Sequence, residues 1–90
     1  MSRVYTVALL REDDGGYCVL VPALPGCISQ GQSLAEALEH IKEAIEGYIE
    51  VLSERGKPVP EDSTTITFDL DDADEALVTK VTVGEAVPVA

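Results

Sequence analysis

The sequence predicts an α+β domain of two layers: an antiparallel sheet in the order β-β-β-α-β, with or without one further strand, and one long helix. Three observations predict it. Residues 3–11 and 17–21 alternate along an apolar pattern and are separated by Glu12-Asp13-Asp14-Gly15-Gly16. Residues 33–55 carry one capped stripe of apolar side chains at spacings of three and four. After a proline-containing linker, alternation resumes at residue 65.

Each element has its own reason. In the first strand Tyr5, Val7 and Leu9 share one face, and Val4, Thr6, Ala8 and Leu10 the other. Both faces are largely apolar, so both call for cover. Gly15-Gly16 supply the positive φ of a hairpin turn. The return strand places Tyr17, Val19 and Val21 on one face and Cys18 and Leu20 on the other. Pro22 has no amide hydrogen and ends that ladder. Pro22-Ala23-Leu24-Pro25-Gly26 is a rigid crossing that leads to a short strand at Cys27-Ile28-Ser29.

The helix starts at Ser33, with Glu36 three residues on in the pattern of a reciprocal capping box. Its stripe is Leu34, Leu38, Ile41, Ile45, Tyr48, Ile49 and Leu52, widened by Ala35, Ala37 and Ala44. It runs to about Arg55, where Gly56 is a natural C′ residue and Pro58 prevents continuation. Gly47 costs roughly 1 kcal/mol against alanine and lets a strand or partner approach closely. Residues 58–64 read as a linker. Residues 65–70 form a strand with Ile66, Phe68 and Leu70 inward, and 71–75 an acidic turn. Residues 76–83 read as a last strand, with a short helix over 73–79 as the competing assignment. Residues 84–90 read as a loose tail. The whole, 1–90, is one domain with C-terminal strands within 64–83. A single helix about 33 Å long covers only one face of such a sheet. A second copy of the chain is the economical cover for the other.

Charge narrows the function classes. Seventeen acidic residues face six basic ones, a net charge of -11. Such a field repels phosphate backbones and anionic membranes and attracts basic partners. It equally serves plain solubility. No basic stripe with aromatic platforms is present, so direct nucleic-acid binding is not expected. No apolar run is long enough for a membrane span or signal peptide, and two cysteines in apolar contexts fit a reduced, cytoplasmic setting.

Catalysis finds no support in the residues. Glu12, Asp13 and Asp14 sit together at a hairpin tip, where a solvated turn is the simpler reading. The acidic run Asp69, Asp71, Asp72, Asp74 and Glu75 lacks the glycine and glutamate offsets of a calcium loop. It reads as a solvated loop or a docking patch. His40, the single histidine, is expected to contact Glu36 one turn earlier. Cys18 and Cys27 have no neighbouring base, and no metal-ligand spacing exists. The expectation is therefore no catalytic residue, no metal and no cofactor. A metal-dependent nuclease built on the acidic turn is the alternative from another class.

The stretch from Gly15 through Gly16, Tyr17, Pro22, Pro25 and Gly26 to Cys27 resembles the HicB-like antitoxin family, also described as UPF0150-type proteins. The resemblance continues through Gly31, Ser33, Glu36 and Ala37 to Tyr48 and Gly56, and covers roughly residues 3–60. It implies a partial ribonuclease-H-like fold without a working nuclease site. It implies a homodimer or tetramer that neutralises a small, basic, mRNA-cleaving toxin of the HicA type by direct binding. A solitary oligomer without a toxin is the alternative within the family. Many members append a DNA-binding domain, and residues 61–90 are too short and acidic to supply one. The surface expected to meet a basic partner is the helix face Glu39, Glu43, Glu46 and Glu50, together with Asp69, Asp71, Asp72, Asp74 and Glu75.

Overall fold

The computed structural model describes residues 2–63 and 76–84. The expected strand at 65–70, the acidic turn at 71–75 and the tail at 85–90 lie outside them. Four strands and one helix follow in chain order: β1 (Ser2–Arg11), β2 (Tyr17–Leu20), β3 (Ile28–Gly31), α1 (Leu34–Glu54) and β4 (Ala76–Gly84). The sheet order is β3-β2-β1-β4, and every neighbouring pair is antiparallel. The competing helix is thus replaced by strand from residue 76 on, and Gly84, assigned to the tail, ends β4. A run of valine and threonine outweighs the alanines because nine positions of β4 pair with β1, from Ser2 with Gly84 to Leu10 with Ala76.

The core lies between the sheet and α1. Tyr5, Val7, Leu9, Val19, Val81 and Val83 come from the sheet, and Ala37, Ile41 and Ile45 from the helix. Burying each isoleucine contributes roughly 1.5–3 kcal/mol. The helical stripe is narrower than its sequence suggests. Leu34 and Ala35, in the first turn, are exposed, because the sheet passes under α1 only from Ala37 onward. The face of the sheet away from α1 carries one row across all four strands: Ile28, Leu20, Ala8 and Val78.

The linker is part of the fold. Thr6 lies two residues beyond the last β1–β2 pair, Ala8 with Leu20. The Asp62 carboxylate accepts from the Thr6 amide at 2.7 Å and from its hydroxyl at 2.8 Å. Lys80 Nζ stands 3.3 Å from the same carboxylate. The Tyr5 hydroxyl donates to the Pro60 carbonyl at 2.6 Å. Residues 60–62 therefore satisfy backbone and side-chain groups where β2 has left the edge of β1.

Candidate partner-binding surfaces

The motif residues build the corner from which the helix departs. Gly15 (φ +89) and Gly26 (φ +83) take the left-handed turn positions that a side chain would strain. The Gly16 amide donates to Asp14 Oδ1 at 2.9 Å, while Tyr17 packs against the core. In the crossing from Pro22 to Gly26, the Val21 amide donates to the Cys27 carbonyl, Leu24 to Val21, and Cys27 to Leu24. This loop buries Leu24 and Cys27 and offers the Pro25 carbonyl to the Tyr48 hydroxyl at 2.9 Å. Gly31 is the tightest point. A Cβ there would stand 2.4 Å from the Ala37 amide nitrogen, so the α1 backbone at Glu36 and Ala37 sits directly on β3. Ser33 Oγ accepts from the Glu36 amide at 3.1 Å. The reciprocal half of the capping box is not formed, and the Glu36 carboxylate lines a cleft instead.

At its other end α1 closes with the Lys57 amide donating to Leu52 and the Gly56 amide to Ser53, with Gly56 at φ +65. Between these ends runs the acidic ridge. Glu39, Glu43, Glu46 and Glu50 are all exposed. Among the described residues none of the four has an ion-pair partner. The sequence-predicted helical half of the partner surface is therefore assembled on one face. Its other half, Asp69, Asp71, Asp72, Asp74 and Glu75, lies outside the described residues.

Two recesses flank α1 on the β3 side. One, about 380 Å³, is polar and includes Glu12, Asp14, Gln30, Glu36 and His40. His40 does not rely on Glu36 alone, as expected, but reaches the Gln30 carbonyl through Nδ1 at 2.7 Å. That carbonyl holds the imidazolium and raises its pKa, and the carboxylates of Glu36, Glu43 and Glu39 act in the same direction. The other recess, about 490 Å³, is mainly apolar. Cys27, Ile28, Ala44, Tyr48 and Val51 form its walls, and Arg55 and Lys57 lie at one end. A Cβ added to Gly47, which lines it, would meet nothing within 4 Å, so the glycine leaves open space rather than relieving an internal contact. The sequence signalled this recess only through Gly47.

The cysteines do not meet. Cys18 is paired with Gln30 across β2 and β3, Cys27 is in the core, and both are free thiols. Burial pushes both thiols up, and Glu12 adds to the effect at Cys18, so both stay protonated at neutral pH. Among the described residues no three His, Cys, Asp or Glu side chains converge as a metal ion needs. No helix among them is long and apolar enough to cross a membrane.

The family profile described as "HicB_like antitoxin of bacterial toxin-antitoxin system" matches residues 5–84. The chain belongs to the HicB-like antitoxin family. A UPF0150 protein of Thermoplasma acidophilum is 51% identical over 59 residues, spanning 66% of this chain and 86% of the relative. A UPF0150 protein of Synechocystis is 48% identical over 62 residues, 69% of this chain and 78% of the relative. Among solved structures, the N-terminal domain of the Burkholderia pseudomallei antitoxin HicB superposes with a TM-score of 0.65 at 28% identity, over 90% of this chain and 98% of that one. A toxin-antitoxin complex from Streptococcus pneumoniae contains a chain with a TM-score of 0.74 at 20% identity. All of this chain and 78% of that one are covered, a likeness of fold. The α+β architecture with one long helix is the HicB-like fold.

Proposed function

We propose that this chain is a cytoplasmic antitoxin that binds a small basic ribonuclease toxin of the HicA type and occludes it, without catalysis of its own. The observation that carries this reading is the exposed glutamate ridge on α1. Glu39, Glu43, Glu46 and Glu50 stand unpaired among the described residues, on a chain of net charge -11. A toxin that binds messenger RNA presents cations for phosphate, and a ridge of carboxylates meets them in the same way. The family supports an antitoxin role, and one fold neighbour comes from a complex of HicA3 with HicB3. The ridge is rigid, because the buried side of the same helix is fixed on the sheet by Ile41 and Ile45.

The test is co-purification of the tagged chain with the product of the adjacent gene, followed by an RNA-cleavage assay with and without the chain. Stoichiometric binding with loss of cleavage is expected. Binding without inhibition, or no binding, overturns the reading. RNA cleavage by the chain alone with Mg²⁺ would replace it with a nuclease.

A further inference from the structure

The apolar recess beside α1 carries an inference that does not rest on the antitoxin reading. Its helical wall is Ala44, Gly47, Tyr48, Val51, Leu52 and Arg55, at steps of one, three and four residues. The recess therefore follows a single stripe of α1. From Ala44 to Arg55 it is about 16 Å long at the helical rise per residue. Gly26, Cys27 and Ile28 form the opposite wall. Ile28 is 60% exposed and Val51 44%, so both walls show water apolar surface that a ligand would cover.

Gly47 has no packing reason to be glycine. Inside a helix glycine is destabilising against alanine, and a close contact is the usual compensation. Here an added Cβ meets nothing within 4 Å. The missing side chain keeps the recess open and does nothing else.

One end of the recess is cationic. Arg55 and Lys57 stand there, two of six basic residues in a chain with seventeen acidic ones. Neither has an ion pair among the described residues. The helix end does not need their side chains as caps. The carbonyls of Val51, Leu52 and Ser53 already accept from the amides of Arg55, Lys57 and Gly56. Among the described residues that line the recess, none is acidic. A long apolar stripe that ends in two cations matches a linear apolar chain that ends in one anion.

We propose that the recess binds a free single-chain carboxylate of about eight to twelve carbons, a length set by the helical stripe. The chain lies along Gly47 and Val51, and the carboxylate meets Arg55 and Lys57. An anionic bilayer offers similar chemistry, but the glutamate ridge on the same helix and the net charge of -11 repel such a surface.

Decanoate is the probe, titrated into the full chain by calorimetry and by amide NMR. Shifts are expected at Gly26, Gly47 and Val51 and not along β4. From hexanoate to decanoate, affinity should rise about threefold for each added CH₂. Arg55→Gln with Lys57→Gln should weaken decanoate roughly five- to tenfold at low salt and leave decanol unchanged. Gly47→Leu puts a side chain into the recess. It should raise the melting temperature, since leucine is the better helix former and the Cβ has room, while decanoate no longer binds. Decanoate that fails to bind at millimolar concentration overturns the proposal. So does decylamine binding as tightly as decanoate, or wild-type binding by Gly47→Leu. Pelleting with phosphatidylglycerol vesicles that the Arg55/Lys57 variant abolishes gives the recess to a membrane surface and overturns it. Decanoate binding that falls as protein concentration rises gives it to a second copy and overturns it as well. If Gly47→Leu does not fold, the chain-length series and the Arg55/Lys57 variant decide.

Discussion

The corner from Gly16 to Ala37 and the helical ridge from Glu39 to Glu50 are adjacent in sequence and opposite in physical character. At the corner the motif residues hold one another in place. Gly31 admits the helix, Ser33 caps it, Leu24 and Cys27 fill the space beneath the crossing, and Tyr48 ties down Pro25. On the ridge, none of the four carboxylates has a hydrogen bond or ion pair among the described residues. The corner makes the family recognisable, whereas the ridge is the surface proposed to meet a partner. Close packing constrains residue type and solvent does not, so a family motif and a proposed docking surface need not coincide.

The sharpest way to break this comparison is Gly31→Val. With the Ala37 backbone inside the space of any Cβ, the helix or β3 must shift. Urea denaturation is expected to show a loss above about 3 kcal/mol, and a loss below about 1 would mean the corner is not rigid. Ile45→Ala, under the ridge, is expected to cost roughly 2–5 kcal/mol, since the side chain is fully buried. Asp62→Ala leaves the Thr6 amide without its acceptor and is expected to cost roughly 1–3 kcal/mol.

The pKa of Asp62 is lowered: burial opposes the shift, and the Thr6 amide and hydroxyl and Lys80 outweigh it. Its contribution is thus present above the carboxylate's unfolded pKa, near 4, and lost as pH falls through the lower folded value. Melting curves between pH 6 and pH 2 should show wild type converging on the variant. His40 has the opposite sign, because its folded pKa is raised. Its contribution is complete below the unfolded value, near 6.5, and lost as pH rises through the folded one. An NMR titration that places the imidazole below 6.5 contradicts the contact with Gln30. The smallest effect on stability belongs to the ridge. Glu39, Glu43, Glu46 and Glu50 changed together to glutamine should leave the melting temperature unchanged or slightly higher, as like charges are removed. They should slow association with a basic toxin most at low salt. A large loss of stability would show that the ridge is structural after all.

The sequence exposed those parts of the fold whose signals are local. The helix limits follow from Ser33, Gly56 and a 3.6-residue period, and the core face of β1 from alternation at Tyr5, Val7 and Leu9. It could not expose what depends on distant residues meeting. Asp62 read as linker because nothing near it announces Thr6, 56 residues away. Leu34 read as core because periodicity gives a direction but not the place where the sheet begins. The recess beside β3 was visible only as an unexplained Gly47. Of the proposed partner surface, the helical glutamates were legible from spacing.

The pairing of β1 with β4 also sets an order of events. Ser2 faces Gly84, so β1 finds one neighbour only after β4 has been made. The β1-β2-β3-α1 segment contains its own short-range contacts and can begin to collapse while the rest is still on the ribosome. Until residues 76–84 emerge, however, nine positions of β1 present an unpaired edge to any passing strand. Closing a loop of this length comes before the ladder can repay it, which slows the docking of β4. In the cell that interval is when the nascent chain is most open to proteases and to misassembly.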